Sequence, residues 1–182
     1  MTARGPEDVL EFWFVAHGPD DWFAAKPEFD AELAAQFAAT HAQVARGEAW
    51  TWRTTPRGRL AEIIVLDQFS RQLYRGSPQA FAQDSMALAL AQEAVAGGHD
   101  EALDLDGRRF LLMPYMHSES LVVHEEAVRL FTALDHAESL NYELAHRDCL
   151  LRFGRYPRRN AALGRISTPE ELEYIASGTA MF

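Results

Sequence analysis

Three short segments bring together carboxylates, a histidine and arginines, the side chains that bind anions and transfer protons. The segments are LDQFSRQLYRG (66–76), LLMPYMHSES (111–120) and RFGRYPRRNAALGR (152–165). Their candidate ligand-binding residues are Asp67, Gln68, Arg71, His117, Ser118, Glu119, Arg152, Arg155, Arg158 and Asn160. Each segment has both a functional and a structural interpretation.

Asp67 lies in the middle of a predicted helix, directly after the apolar run 63–66. At 100° per residue it shares a face with apolar residues, which predicts that its side chain points inward. The predicted solvent side carries Ala61, Gln68, Gln72 and Arg75. Because an isolated buried carboxylate costs several kcal/mol, we expect a partner. Arg71, a tryptophan N–H and a cation from another helix are the alternatives, in a structural clasp or a pocket.

The second segment places His117 and Glu119 just after Pro114, which predicts an interruption of the fifth helix. His117 is a candidate proton carrier, and the structural alternative makes Ser118 a helix cap and Glu119 a first-turn acid. His124 falls on an apolar stripe and is interpreted as a core histidine. Because the spacing His-x-Glu-x4-His matches no known metal motif, we predict no metal and no cofactor.

The third segment belongs to a basic stretch, residues 147–165, which holds six arginines and one aspartate. Arg155, Arg158, Arg159 and Asn160 offer forked or amide donors that suit a carboxylate or a phosphate. The alternative is that these donors cap helices and pair with the acids of the chain, since its net charge is −10. We interpret Cys149, and Trp50 with Trp52, as core packing.

Composition limits the function classes. The 182 residues, of which 48% are hydrophobic, predict a single domain over residues 1–182. The net charge of −10 argues against nucleic-acid binding. No apolar run is long enough to span a membrane, the N-terminus lacks a signal peptide pattern, and Cys149 is the single cysteine. These features predict a cytoplasmic protein, and they leave its oligomeric state open.

Apolar spacing is helical almost throughout, which predicts an all-α fold of about eight helices in antiparallel hairpins. Predicted helix starts are Pro6, Pro27, Pro56, Pro78, Gly107, Ser118 or Ser120, His136 and Thr168. Predicted ends are Gly47, Gly76, Gly97, Gly154 and Gly178. Thr168 and Glu171 have the spacing of a capping box.

Five motifs together resemble the uncharacterised family named domain of unknown function 924. They are VLEFWF (9–14), LDQFSRQLYRG (66–76), MPYMHSES (113–120), RFGRYPRRNAALGR (152–165) and STPEEL (167–172). The resemblance implies a tetratricopeptide-like, right-handed helical array and implies no activity. The chain departs from the family pattern at Ser120, where an acid is expected.

The sequence therefore supports three functional hypotheses. The first is a helical binding module whose internal polar pocket holds a small anionic ligand or an acidic peptide end. The second is a structural or protein-interaction protein whose polar motifs are internal clasps. The third is a hydrolase-like enzyme that uses Asp67, His117 and Glu119.

Overall fold

The computed structural model describes residues 2–177, and every regular element in that range is helical. The all-α prediction is confirmed. The α-helices are α1 (Pro6–Glu11), α2 (Pro19–Trp22), α3 (Pro27–Ala45), α4 (Pro56–Ile64), α5 (Ser70–Leu73), α6 (Asp84–Ala96), α7 (Leu105–Met116), α8 (Leu121–Ala133), α9 (Ala137–Phe153) and α10 (Pro169–Ala176). Turns of π-helix at Phe12–Ala16 and Val65–Phe69, and short 3₁₀ segments, lie between them.

Local sequence signals fix most helix ends. Thr168 accepts a hydrogen bond from the Glu171 backbone N–H at 3.2 Å, and the Glu171 side chain accepts from Thr168 N at 2.7 Å, so the predicted capping box is confirmed. Gly154 ends α9 with φ of 70°, a conformation that costs glycine little. The predicted end of the last helix at Gly178 lies outside the described residues.

Pro114 does not interrupt its helix, so that prediction is wrong. α7 continues through Pro114 to Met116. The proline lacks the N–H that would bond one turn back, so the helix loses one backbone hydrogen bond there. Burial of Leu111, Leu112 and Tyr115 on the same turn stabilises the helical conformation, since tertiary packing outweighs intrinsic propensity.

The predicted fourth helix starts later than expected. Pro78–Phe81 forms a separate 3₁₀ turn, and α6 begins only at Asp84. Proline favours the first turn of either helix type, because it lacks the N–H that goes unpaired there in both cases. The turn brings Phe81 and Asp84 next to α5, which becomes important at the candidate site.

The centre of the fold is the continuous stretch formed by α4, Val65–Phe69 and α5. It packs against α1, α3, α6 and α7. All ten residues from 61 to 70 are buried, so this part of the stretch has no solvent side. The predicted exposure of Ala61, Gln68 and Gln72 is therefore wrong, and only Arg75 is exposed. A two-sided helical wheel fails for a helix that is surrounded by other helices.

Aromatic side chains fill the space between α1, α2 and α7. Trp13 stacks on Trp22 with ring centroids 5.8 Å apart, and it meets Phe110 edge-on at 5.5 Å. The Trp22 indole N–H donates to the Trp13 carbonyl at 2.7 Å, which satisfies the one polar group of that ring. The cluster joins the first helices to the centre of the chain.

Trp50 was predicted to fill the core, and this is wrong, because its side chain is 66% exposed. Trp52 is partly buried against the core. No helix within residues 2–177 combines the length and the apolar character that crossing a bilayer requires. The tetratricopeptide-like, right-handed arrangement stays a prediction.

We expect Trp13→Ala to lower the free energy of unfolding by ~3–5 kcal/mol, because it removes a large, fully buried ring. Trp50→Ala is the matched control, and its change should stay within about 0.5 kcal/mol because that ring is exposed. Urea unfolding followed by circular dichroism measures both. Equal losses for the two variants would contradict this packing.

Candidate functional site

The predicted inward orientation of Asp67 is confirmed, since its side chain is 1% exposed. Arg71 Nη1 lies 3.0 Å from its Oδ1, His117 Nδ1 lies 2.8 Å from the same oxygen, and Gln68 Nε2 donates to Oδ2 at 2.5 Å. Burial alone would raise the pKa of Asp67, but Arg71 and His117 outweigh burial and hold that pKa below its ordinary value. Asp67 is therefore a buried, ionised carboxylate.

A π-helical turn, Val65–Phe69, carries Asp67 and Gln68. Such a turn contains one more residue than an α-helical turn and shifts the following side chains around the axis. Gln68 therefore reaches Asp67 and, with its Nε2 3.2 Å away, the Met113 sulfur. The sequence gives no signal for this irregularity, since the spacing of apolar residues on either side stays helical.

His117 directly follows the last turn of α7, and 14% of its side chain is exposed. A carboxylate only accepts hydrogen bonds, so Nδ1 must carry the proton that points to Asp67. Nε2 then holds the lone pair of the neutral ring, and it makes no hydrogen bond within residues 2–177. Burial, together with Arg71 and Arg159, lowers the pKa of His117 despite the opposing effect of Asp67.

Arg71 and Arg159 share one carboxylate. Arg71 binds Asp84 through two nitrogens at 3.0 and 3.1 Å, and Arg159 Nη1 donates to the same side chain at 3.2 Å. Arg159 Nη2 also donates to the His117 carbonyl at 2.9 Å. A closed ring of contacts therefore runs through Asp67, Arg71, Asp84, Arg159 and His117, which we call the polar ring.

Aromatic side chains cover the polar ring. The Arg159 guanidinium lies 4.9 Å from the Phe81 ring centre and 4.5 Å from that of Tyr156. Such cation–π contacts stabilise a guanidinium that has lost most of its water. The centre of the His146 ring lies 6.0 Å from the centre of the His117 ring and 5.5 Å from that of the Tyr156 ring. Burial lowers the pKa of His146 well below 6.5, so this ring is neutral at physiological pH.

Glu119 does not join Asp67 and His117. Its carboxylate binds Arg165 at 2.8 and 2.6 Å and accepts from the Tyr156 backbone N–H at 2.8 Å. Burial opposes ionisation, but these donors still lower the pKa of Glu119. Glu119 thus anchors the basic loop to the end of α7.

The remaining predicted site residues separate into two groups. Arg155 binds Glu171 at 2.6 and 2.8 Å, Arg152 binds Glu170 at 2.9 Å, and Asn160 donates to Ser167 at 3.0 Å and to Glu171 at 3.3 Å. Arg158, in contrast, is exposed and has no ion pair within residues 2–177.

Ser118 contributes its backbone rather than its hydroxyl. Its carbonyl accepts from His124 Nε2 at 2.9 Å. The other ring nitrogen of His124 lies 2.6 Å from Glu143, and both side chains are fully buried, which confirms His124 as a core histidine. Burial raises the pKa of Glu143. This buried pair holds the start of α8 against α9.

A groove of ≈ 780 Å³ opens beside the polar ring. Its polar lining side chains are Arg71, Arg75, Arg158 and Ser167, and no acidic side chain of the described residues lines it. Phe81, Leu172 and Ile175 are among its apolar lining residues. Arg75 is paired with Asp30 and Arg71 with Asp67 and Asp84, so among residues 2–177 Arg158 supplies the uncompensated charge of the groove.

Sequence reasoning missed Asp84, His146 and Tyr156, and it named Arg159 as a donor without including it among the candidate ligand-binding residues. Arg159 was visible as a member of the basic stretch, whereas the predicted helix start at Pro78 placed Asp84 inside a helix, where no sequence signal marked it. His146 gave no local signal, because only packing of α9 against α7 brings it near His117. Within residues 2–177, no three or more His, Cys, Asp or Glu side chains are arranged to hold a metal ion.

Comparison with known proteins assigns the chain to a family. Residues 9–179 match the family described as bacterial protein of unknown function (DUF924). The chain belongs to the DUF924 family. The resemblance seen in the motifs is confirmed. A solved structure, described as that of protein of unknown function ATU0120 from Agrobacterium tumefaciens, is 37% identical to this chain, with a TM-score of 0.89. The match covers 94% of this chain and 97% of that one, and no curated protein matches.

We expect Asp67→Asn to lower the free energy of unfolding by ~3–5 kcal/mol, because it leaves buried guanidinium charge uncompensated. Adding Arg71→Met should cost less than the sum of the two single changes, since both remove the same contact. Asp148→Asn, at an exposed position of α9, is the control and should change stability by less than about 0.5 kcal/mol. Strict additivity in denaturant unfolding would contradict the coupling.

The stabilisation by Asp67 should also depend on pH. Its pKa is lower in the folded than in the unfolded chain, where it is about 3.9. The contribution is therefore fully present above that value and is lost as pH falls below it toward the folded pKa. Urea unfolding at pH 7 and pH 3 should show a smaller difference between wild type and Asp67→Asn at pH 3. A larger difference at pH 3 than at pH 7 would contradict the lowered pKa of Asp67 in the folded chain.

Proposed function

We propose that this DUF924 protein is a binding module for a small organic anion, which it holds in the groove between Phe81 and α10. The observation that carries the proposal is Arg158, an exposed guanidinium without an ion pair, at a groove that no acidic side chain lines, both within the described chain. An unpaired guanidinium next to apolar surface favours a ligand that has both an anionic and a hydrocarbon part. Cytoplasmic localisation is part of the proposal.

The chemistry of the groove narrows the ligand. Arg158 offers a planar fork that matches the two oxygens of a carboxylate or phosphate. Phe81, Leu172 and Ile175 offer contact to an aliphatic or aromatic body. The carboxylate end of a peptide offers the same groups as a small organic anion. Comparing the binding of a free-acid peptide with that of the same peptide amidated at its C-terminus distinguishes a peptide end from a small metabolite as the ligand.

The other two hypotheses receive unequal support. The structural hypothesis of internal ion pairs fits Arg155 and Arg165, because their guanidinium groups are bound to Glu171 and Glu119, respectively. The hydrolase-like hypothesis retains the Asp67–His117 pair, but Glu119 makes no hydrogen bond to either residue. A binding groove next to structural ion pairs accounts both for the paired arginines and for the separation of Glu119 from Asp67 and His117.

Isothermal titration with hexanoate, acetate and hexanol tests the proposal. Hexanoate should bind more tightly than acetate, because each buried CH₂ contributes ≈ 0.8 kcal/mol. Hexanol should bind far more weakly, since it lacks the charge. Arg158→Gln should weaken hexanoate binding about tenfold or more, as expected for loss of a charge-assisted hydrogen bond.

Arg46→Gln is the matched control, because Arg46 is also an exposed arginine and does not line the groove. Its hexanoate affinity should equal that of wild type. The proposal is wrong if hexanoate fails to bind at millimolar concentration, or if the two arginine variants lose affinity equally.

A further inference from the structure

The groove and the Asp67–His117 pair are joined through one side chain. Arg71 lines the groove, and its Nη1 lies 3.0 Å from Asp67 Oδ1. The same oxygen receives His117 Nδ1 at 2.8 Å. Because Asp67 and Arg71 are largely removed from water, a charge placed on Arg71 acts on His117 with little screening.

The charges around the groove balance almost completely. Arg71 and Arg159 are matched by Asp67 and Asp84 when His117 is neutral, and Arg75 is matched by Asp30. Within the described chain, Arg158 is left as a single unmatched charge at the groove. A singly charged anion therefore completes the balance, whereas a doubly charged anion leaves one negative charge uncompensated.

We propose that a doubly charged oxyanion binds in this groove together with one proton, which His117 takes up at Nε2. The inference rests on the proposed function and extends its ligands to the doubly charged oxyanions, of which sulfate and phosphate monoesters are examples. The proton comes from solvent and adds to the lone pair of Nε2. A singly charged anion binds without this proton.

His117 is the group suited to take up the proton. The titratable and charged groups that face it are Asp67, Arg71, Arg159 and His146. Asp67 favours the charged ring, whereas burial, Arg71 and Arg159 together hold its pKa below the ordinary value. An anion that engages Arg71 opposes the effect of the guanidinium, so that the pKa of His117 rises.

The alternatives to His117 are less suited. Asp67 and Asp84 are ionised partners of the arginines, and Asp67 has three donors that oppose protonation. His146 is more deeply buried, and its Nδ1 donates to the Tyr142 carbonyl at 2.7 Å. His117 combines a partly exposed ring with a carboxylate that stabilises its charged form.

Titration calorimetry with sulfate and methanesulfonate tests the proposal, because neither anion changes its own charge near neutral pH. At about pH 6.5, two buffers of different ionisation enthalpy should report uptake of most of a proton with sulfate and none with methanesulfonate. Because binding takes up a proton, the affinity for sulfate should fall about tenfold for each unit by which pH rises, between the pKa of His117 in the free protein and that in the complex. Affinity for methanesulfonate should stay constant over the same range.

His117→Gln should still bind methanesulfonate but should bind sulfate without proton uptake. His17→Gln, a histidine in the segment after α1, is the control and should keep the uptake. Titration of the imidazole resonances of wild type gives a second measurement, in which sulfate should raise the midpoint of His117. Sulfate binding without proton uptake overturns this inference alone, whereas failure of both anions and of hexanoate to bind overturns the proposed function as well.

Discussion

The structure depends on the compensation of one buried carboxylate. Asp67 lies within the central helix, where an isolated negative charge would cost several kcal/mol. Gln68 and Arg71 on the same stretch supply two donors, and His117 at the end of α7 supplies the third. Arg71 also donates to Asp84, because a guanidinium has five N–H donors and the Asp67 carboxylate engages only one of its nitrogens.

This requirement extends through the fold. Asp84 begins α6, Arg159 lies in the loop between α9 and α10, and His117 follows α7, so the polar ring fixes three distant parts of the chain around the central helix. Buried polar networks of this kind give geometrical specificity where apolar contacts alone would tolerate shifts. The same contacts hold one side of the groove in place, because Arg71 belongs to both the polar ring and the groove lining.

Much of the candidate site was predictable from local pattern. Asp67 and Arg71 one turn apart, and His117 after a helix with a proline, were each visible as polar residues in apolar surroundings. Their partners were not visible, since only the contact between the basic loop and Asp84, at the start of α6, selects Arg159 rather than Arg158 as the buried arginine. The sequence indicated Arg155 and Glu119 as ligand-binding residues, but in the structure they form ion pairs with Glu171 and Arg165, respectively. Ion pairing between distant segments decides which charges remain available.

The sequence by itself determined the all-helical class, most helix ends and the inward orientation of Asp67, because capping residues and apolar spacing act over a few residues. Tertiary structure decided the rest. It buried Gln68 and Gln72, kept α7 helical through Pro114, and exposed Trp50. The reason in each case is that burial depends on every neighbouring element, and a helix surrounded on all sides has no polar face for a periodic pattern to reveal.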